Sequence, residues 1–174
     1  VRAVTYGTSI AERARDAGTA SAWTTPLPNP INVVTKLDTW VTLTGGEDGA
    51  GVHETRELAY HDGYYDGVEK DFRGFREVER TLAASTGQEP GREVLSYDVG
   101  VDDVYRRGLL LRTLSYGGAG ADVLLSDSRS EFEDCPVAGV GGATPPVRWL
   151  CERASVKVIA EGAPESDWLT TRTE

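Results

Sequence analysis

Between Tyr60 and Phe75 the chain reads Tyr60-His61-Asp62-Gly63-Tyr64-Tyr65-Asp66-Gly67-Val68-Glu69-Lys70-Asp71-Phe72-Arg73-Gly74-Phe75, with acids, rings and glycines closely spaced. Starting at Asp62, this run invites a calcium loop. Such a loop needs an oxygen ligand at its third position and a bidentate Glu at its twelfth. Those positions hold Tyr64 and Arg73. A guanidinium cannot coordinate a cation, so the Asp-Gly pairs are read as turn formers, with side-chain oxygens bonding the local backbone. His53, Glu57 and His61 share one strand parity. Positions eight apart on a strand lie ~27 Å from each other, which rules out one shared metal. Both histidines are expected on the surface or in turns. Cys135 and Cys151 form no C-x-x-C pair, which argues against zinc. They are expected to be two buried thiols. A disulfide is the alternative if the chain is exported.

Glu131-Phe132-Glu133, after Ser128-Arg129-Ser130, is similar to the E-x-E of ADP-ribosyltransferases. Carboxylates at i and i+2 on a strand do face one way. Alternating acids are also ordinary outward strand chemistry, and no helical scaffold accompanies these. Gly117 to Gly120 lacks the Lys-Ser/Thr of a phosphate-binding loop. No G-x-S-x-G or H-E-x-x-H is present. The sequence therefore assigns no catalytic residue, no cofactor and no metal ligand. Exposed Trp40, Tyr64 and Tyr65 could serve as a carbohydrate- or receptor-binding platform. The favoured reading is structural: Tyr60, Tyr64, Phe72 and Phe75 pack cross-strand and hold register. Gly74, between two phenylalanines, marks a bulge or a close backbone approach.

The elements that must carry these residues are strands. Val1 to Tyr6 alternates. Ser9 to Ala17 allows one or two helical turns capped by Ser9 and stopped by Gly18, or an irregular loop. Trp23 to Pro30 has three prolines in eight residues and is an extended connector docked by Trp23 and Leu27. Strands are expected over Ile31 to Leu43, Val52 to Tyr60, Phe72 to Ala83, Arg92 to Val99, Gly108 to Tyr116, Ala121 to Glu133, Val147 to Ala160 and Trp168 to Thr173. Gly45 to Gly51, Ser85 to Gly91 and Gly117 to Gly120 turn the chain, and Cys135 to Pro146 is irregular. Strands closed by Gly, Asp or Pro without crossover helices make an antiparallel meander. The fold class is mainly β, with long hairpins in a curved open sheet and little helix. Apolar residues are 39% of the chain, and outward positions carry Glu, Arg, Asp and Thr, so one face of the sheet must be wet.

The net charge of -10 argues against nucleic acid and anionic membrane surfaces as partners. No apolar run approaches the ~18 residues of a spanning helix. The chain has no Met and opens on Val1, which reads as part of a longer protein. Three regions are expected: 1–30, a first strand and Pro-rich connector; 31–133, an antiparallel hairpin sheet; and 134–174, an irregular loop with further strands.

Trp23-Thr24-Thr25-Pro26-Leu27-Pro28, Asn32-Val33-Val34 and the Tyr60 to Phe75 stretch resemble the middle region of the B component of insecticidal toxin complexes. The related virulence-plasmid B proteins share it. The tyrosine-rich turn is Gly63 to Gly67, and the family's E-x-x-F-R-G-F segment is Glu69 to Phe75. Gly108 to Gly117 is similar to hairpins of Rhs (YD) repeat type. The resemblance implies a middle domain between a β-propeller and Rhs repeats of the same parent chain. That region begins a β-shell around the cytotoxic C-terminal cargo of a partner C component, and the rest of the parent meets the pore-forming A component. It implies a secreted, non-enzymatic wall segment, cytoplasmic before release, without membrane contact of its own. Tyr60, Asp62, Gly63, Tyr64, Tyr65, Asp66, Gly67, Phe72, Arg73, Gly74 and Phe75 are its structural motif.

Overall fold

The computed structural model describes residues 2–42, 51–83, 89–137 and 148–174. Within them, besides two three-residue 3₁₀ turns at Val104–Arg106 and Glu165–Asp167, nine strands and one α-helix follow in order: β1 (Arg2–Thr8), α1 (Ser9–Asp16), β2 (Asn32–Thr42), β3 (Gly51–Asp66), β4 (Asp71–Leu82), β5 (Gly91–Tyr97), β6 (Leu110–Gly117), β7 (Val123–Cys135), β8 (Trp149–Ile159) and β9 (Leu169–Thr173). Each strand pairs antiparallel with its neighbours in sequence, giving a sheet of order β1 to β9. The expected open meander is what forms. Antiparallel neighbours can be joined by a tight hairpin such as that between β3 and β4, whereas parallel ones need a crossover.

Several boundaries differ from the sequence reading. Asp62-Gly63 makes no reversal; β3 runs through it to Asp66, and only the Asp66-Gly67 signal turns the chain. The expected tip 45–50, the segment 85–88 and 138–146 lie outside the described residues. The helix is capped by Thr8, not Ser9: Thr8 is extended (φ -132°, ψ 150°) and its hydroxyl accepts from the Ala11 amide at 3.3 Å. Ser9 is 2% exposed and instead accepts from the Ile31 amide at 2.9 Å, tying the helix to the start of β2.

The cysteines are not free thiols. Cys135 and Cys151 are joined as a disulfide, with Cα atoms 5.9 Å apart. Cys135 lies opposite Trp149 and Cys151 opposite Glu133, so the bridge runs diagonally across the β7–β8 pair. A count of sulfurs per residue cannot show this. It depends on a register that brings the two Cα atoms within bridging range.

The hydrophobic interior is thin. Among the described residues, the buried apolar ones are Val33, Val94, Val99, Ala121, Ala154 and Ala160. Buried beside them are Ser9, Glu12, Asp16, Arg73 and Asp127, which must be paired to be tolerated. Asp127 takes Arg112 at 2.8 Å and Arg129 at 2.7 Å.

Candidate functional site

β2 pairs with β3 only as far as Lys36↔Glu57. From Leu58 to Asp66, β3 therefore has β4 on one side, while its other edge lacks a strand among the described residues. An open edge of unpaired amides and carbonyls templates association. Here side chains close it. The Tyr60 amide donates to Glu12 at 2.8 Å, and its carbonyl accepts from Arg15 at 3.2 Å. Thr25 donates its hydroxyl hydrogen to the Gly63 carbonyl at 3.2 Å. The Thr24 amide and hydroxyl both donate to Asp62, at 2.8 and 2.9 Å. The helix and the Pro-rich connector thus act as a polar substitute for a neighbouring strand.

Asp16 knots the parts together. It is 2% exposed and accepts from the Trp23 indole at 2.8 Å, His61 Nδ1 at 2.8 Å and Arg15 Nε at 2.9 Å. Burial raises its pKa, but hydrogen bonds from Trp23, Arg15 and His61 outweigh that, and its carboxyl lies below the ordinary Asp value. His61 is not a surface or turn residue as expected; it sits inside β3, with its side chain 13% exposed and its Nε2 buried without a protein partner. Helix α1 covers it, and no periodicity in β3 announces that helix. His53 is at the surface, stacked on Trp40 with centroids 4.7 Å apart and 3.1 Å from Asp38.

Phe75 is the hub of the rings: its centroid lies 4.8 Å from Tyr60, 5.2 Å from Phe72 and 5.9 Å from Trp23. Tyr60 also donates its hydroxyl hydrogen to the Val34 carbonyl at 2.9 Å. Gly63 is closely packed. A Cβ there would lie 3.0 Å from the Trp23 ring and 3.1 Å from both Leu27 and Phe75. Tyr64 stays outside this cluster, contrary to the expected packing. Its ring sits under Arg76 at 5.7 Å, and Arg76 pairs with Asp62 at 2.8 Å. Asp62 has φ 47°, which breaks the strand's alternation there. Tyr65 lies opposite Phe72.

The turn after β3 is closed as read. Asp66 accepts from the Val68 amide at 2.8 Å and the Glu69 amide at 3.0 Å, and these two bonds hold its pKa down. Gly67 opens the reversal. The predicted irregularity at Gly74 is present: the register slips between Tyr64 and Tyr65, and Gly74 has φ 110°. The slip turns Arg73 inward. Arg73 is 7% exposed, pairs with Asp66 at 2.6 Å and donates to the Gly100 carbonyl, while its Nε has no protein partner. Sequence reading singled out the Tyr60 to Phe75 stretch but missed Glu12, Arg15 and Asp16. Their signal was an acid–base pattern spaced three and four residues apart on a short helix.

Glu131 and Glu133 are not assembled as a paired catalytic carboxylate site. Glu131 is held by both terminal nitrogens of Arg172 at 3.1 Å, and Glu133 lies 3.8 Å from Arg153, with both carboxylates about half exposed. No group of three or more His, Cys, Asp or Glu side chains suited to a metal occurs among the described residues. What the Tyr60–Phe75 region does chemically is join a helix, a connector and two strands through hydrogen bonds and ion pairs made within the chain.

The family model described as the insecticide toxin TcdB middle/N-terminal region matches residues 1–107. Among solved structures, the TcdB2–TccC3 complex matches with a TM-score of 0.75 at 20% identity, covering 98% of this chain and 11% of that one. The TcdB2–TccC3–Cdc42 structure matches with a TM-score of 0.75 at 19% identity, covering 98% and 10%. A Tc holotoxin pore from Photorhabdus luminescens gives the same four values. The chain spans about a tenth of the length of these matched chains. At such identity the likeness is one of fold. No curated protein matches the chain.

Proposed function

Since the chain belongs to the insecticide toxin TcdB middle/N-terminal family, we propose that it is a non-catalytic wall segment of a toxin-complex B component. In this reading its strands help build the β-shell that encloses the cytotoxic C-terminal cargo of a C component. The observation that carries the reading is the sheet itself, a one-directional meander whose two outer strands, β1 and β9, are exposed at its ends. Such a sheet suits extension by further strands of a longer chain. The Tyr60 to Phe75 motif supports a structural role, because most of its polar contacts are with one another, α1, the connector and the Gly100 carbonyl. Its partners are then a β-propeller and Rhs repeats of the same parent, the C-component cargo, and an A-component pore reached through the rest of the parent. The site of action is extracellular, as part of an exported complex. In this reading residues 1–30 are the entry strand and Pro-rich connector, 31–133 the antiparallel hairpin sheet and 134–174 an irregular loop with strands that continue it.

The test is made in the full-length B chain assembled with its C partner. Gly63→Val drives a branched side chain against Trp23, Leu27 and Phe75, which costs roughly 1–3 kcal/mol. The expected result is a shell that leaks: added protease degrades the cargo faster than in the wild-type complex. Cargo protected as well as in wild type, by a variant that circular dichroism shows to be locally destabilised, overturns the wall reading.

A further inference from the structure

β6 pairs with β7 only as far as Arg112↔Arg129, and β9 with β8 only as far as Thr173↔Ser155. Beyond those points, residues 130–135 and 149–154 form ladder pairs, among the described residues, only within the β7–β8 pair. They make a two-stranded arm that outruns its neighbours in the sheet. At its base the register slips between Glu131 and Phe132. A slip disrupts the ladder and bends the strand. The arm has almost no core: Ala154, at the base, is buried, whereas Trp149 is 64% exposed and Glu131, Glu133, Glu152 and Arg153 are all exposed. Its ion pairs Glu131–Arg172 and Glu133–Arg153 lie at the surface, where such pairs contribute little. A two-stranded ribbon without an apolar face is marginal in water. What fastens this one sits at its far end, where Cys135 and Cys151 are joined and Asp134 accepts from Arg148 at 2.8 and 2.9 Å.

Arg148 also reaches away from the arm. Its guanidinium lies 3.0 Å from Asp103 and 5.0 Å from the centre of the Tyr105 ring. Asp103 in turn accepts from the Tyr105 amide at 3.1 Å, capping the 3₁₀ turn in the β5–β6 connection. That connection is tied onward to the β3–β4 tip, where Arg107 pairs with Asp71. We propose that the arm is a redox-controlled brace. With the bridge closed the arm stands, and Arg148 holds the β5–β6 connection. With the bridge reduced the arm frays back to the slip at Glu131 and Phe132, and Arg148 lets go of Asp103 and Tyr105. The reductant is a small thiol. Its thiolate attacks one sulfur and forms a mixed disulfide, which a second thiolate resolves. Two reductant thiols become one disulfide, and Cys135 and Cys151 are left as thiols carrying the two protons. Both cysteines are partly exposed, so the attack has a path. A thiol-rich compartment then loosens the brace and an oxidising one locks it. The brace works in any parent of this sheet, wall segment or not.

The test is hydrogen exchange read by mass spectrometry on the full-length parent chain, native throughout, before and after incubation with excess reduced glutathione. Peptides spanning the two cysteines report the state of the bridge. The expected result is a bridge that opens in the native chain. Amides of 130–135, 149–154 and 104–109 then exchange at least tenfold faster, while those of 92–97 in β5 are unchanged. A bridge that stays closed in glutathione is a permanent staple, and the switch is overturned. So is it by arm amides that keep their protection once the bridge is open. Acceleration spread evenly over β5 to β8 also overturns it, because the bridge then stabilises the whole sheet and not an arm. Cys135→Ser with Cys151→Ser should exchange like the reduced wild type with or without glutathione, and protection equal to the oxidised wild type counts against the proposal. Arg148→Ala separates brace from bridge. With the disulfide intact, it should speed exchange of 104–109 severalfold and leave 130–135 protected. Unchanged exchange at 104–109 overturns the brace.

Discussion

At the scale of single residues, buried charged groups must find partners for the fold to be tolerated. Arg73 is the clearest case. Its guanidinium bridges Asp66 at the β3–β4 turn and the Gly100 carbonyl after β5. Arg73→Ala leaves Asp66 and the Gly100 carbonyl without that partner, which destabilises the chain by more than a surface substitution does. Urea denaturation followed by circular dichroism should show the midpoint fall accordingly; a loss within the error of a surface substitution would mean the bridge is idle. Asp16 makes a prediction in pH. Its pKa is depressed in the folded chain, so its stabilising contribution is present above the unfolded value and is lost as pH falls through the folded one. Stability of the wild-type chain should fall steeply below about pH 4. Asp16→Asn should be less stable at neutral pH and show a shallower acid slope. The slope is reduced rather than abolished, because Asp66 and Asp127 are also depressed. Identical slopes in the two proteins would contradict the role given to Asp16.

At the scale of elements, alternation and turn residues located the strands, since both are local properties. β2 and β8 were legible from spacing alone, and the bulge was legible from Gly74 between two rings. What was not legible depends on a partner far along the chain. Asp62-Gly63 resembles a hairpin turn locally, yet Thr24 and Arg76 hold Asp62 within a strand. The eight-residue α1 is too short to persist alone. It exists because Glu12 and Asp16 are claimed by Tyr60 and His61. The cysteines illustrate the same limit, since 16 positions of separation say nothing until the β7–β8 register is known. Closing a loop of that length stabilises by about 3 kcal/mol in the chain-entropy account. Reductant should therefore lower the melting temperature of the wild-type chain, and should have no effect on Cys135→Ser with Cys151→Ser, which should melt lower from the outset. A thiol titration giving two free sulfhydryls in the oxidised, denatured chain would contradict the bridge.

At the scale of the whole molecule, a sheet of nine strands with a thin apolar interior is poorly matched to life on its own. The composition already pointed that way. With 39% apolar residues spread over alternating strands, neither face can be fully dry. The free stretch of β3 within the sheet is closed by α1 and the connector, whereas the outermost strands are largely exposed: β9 is exposed throughout, with Leu169 at 62% and, on β1, Tyr6 at 68%. That contrast separates edges the chain must protect from edges that further strands would occupy. It predicts that the 174-residue chain by itself associates through its ends. Light scattering should give an apparent mass that rises with concentration. Placing charge on both edges, as Tyr6→Lys with Leu169→Lys, should weaken self-association by roughly tenfold, about 1.4 kcal/mol, without changing the circular dichroism. A chain that stays monomeric at all concentrations has edges that do not pair. A double variant that associates as strongly as wild type associates through some other surface, such as the faces of the sheet.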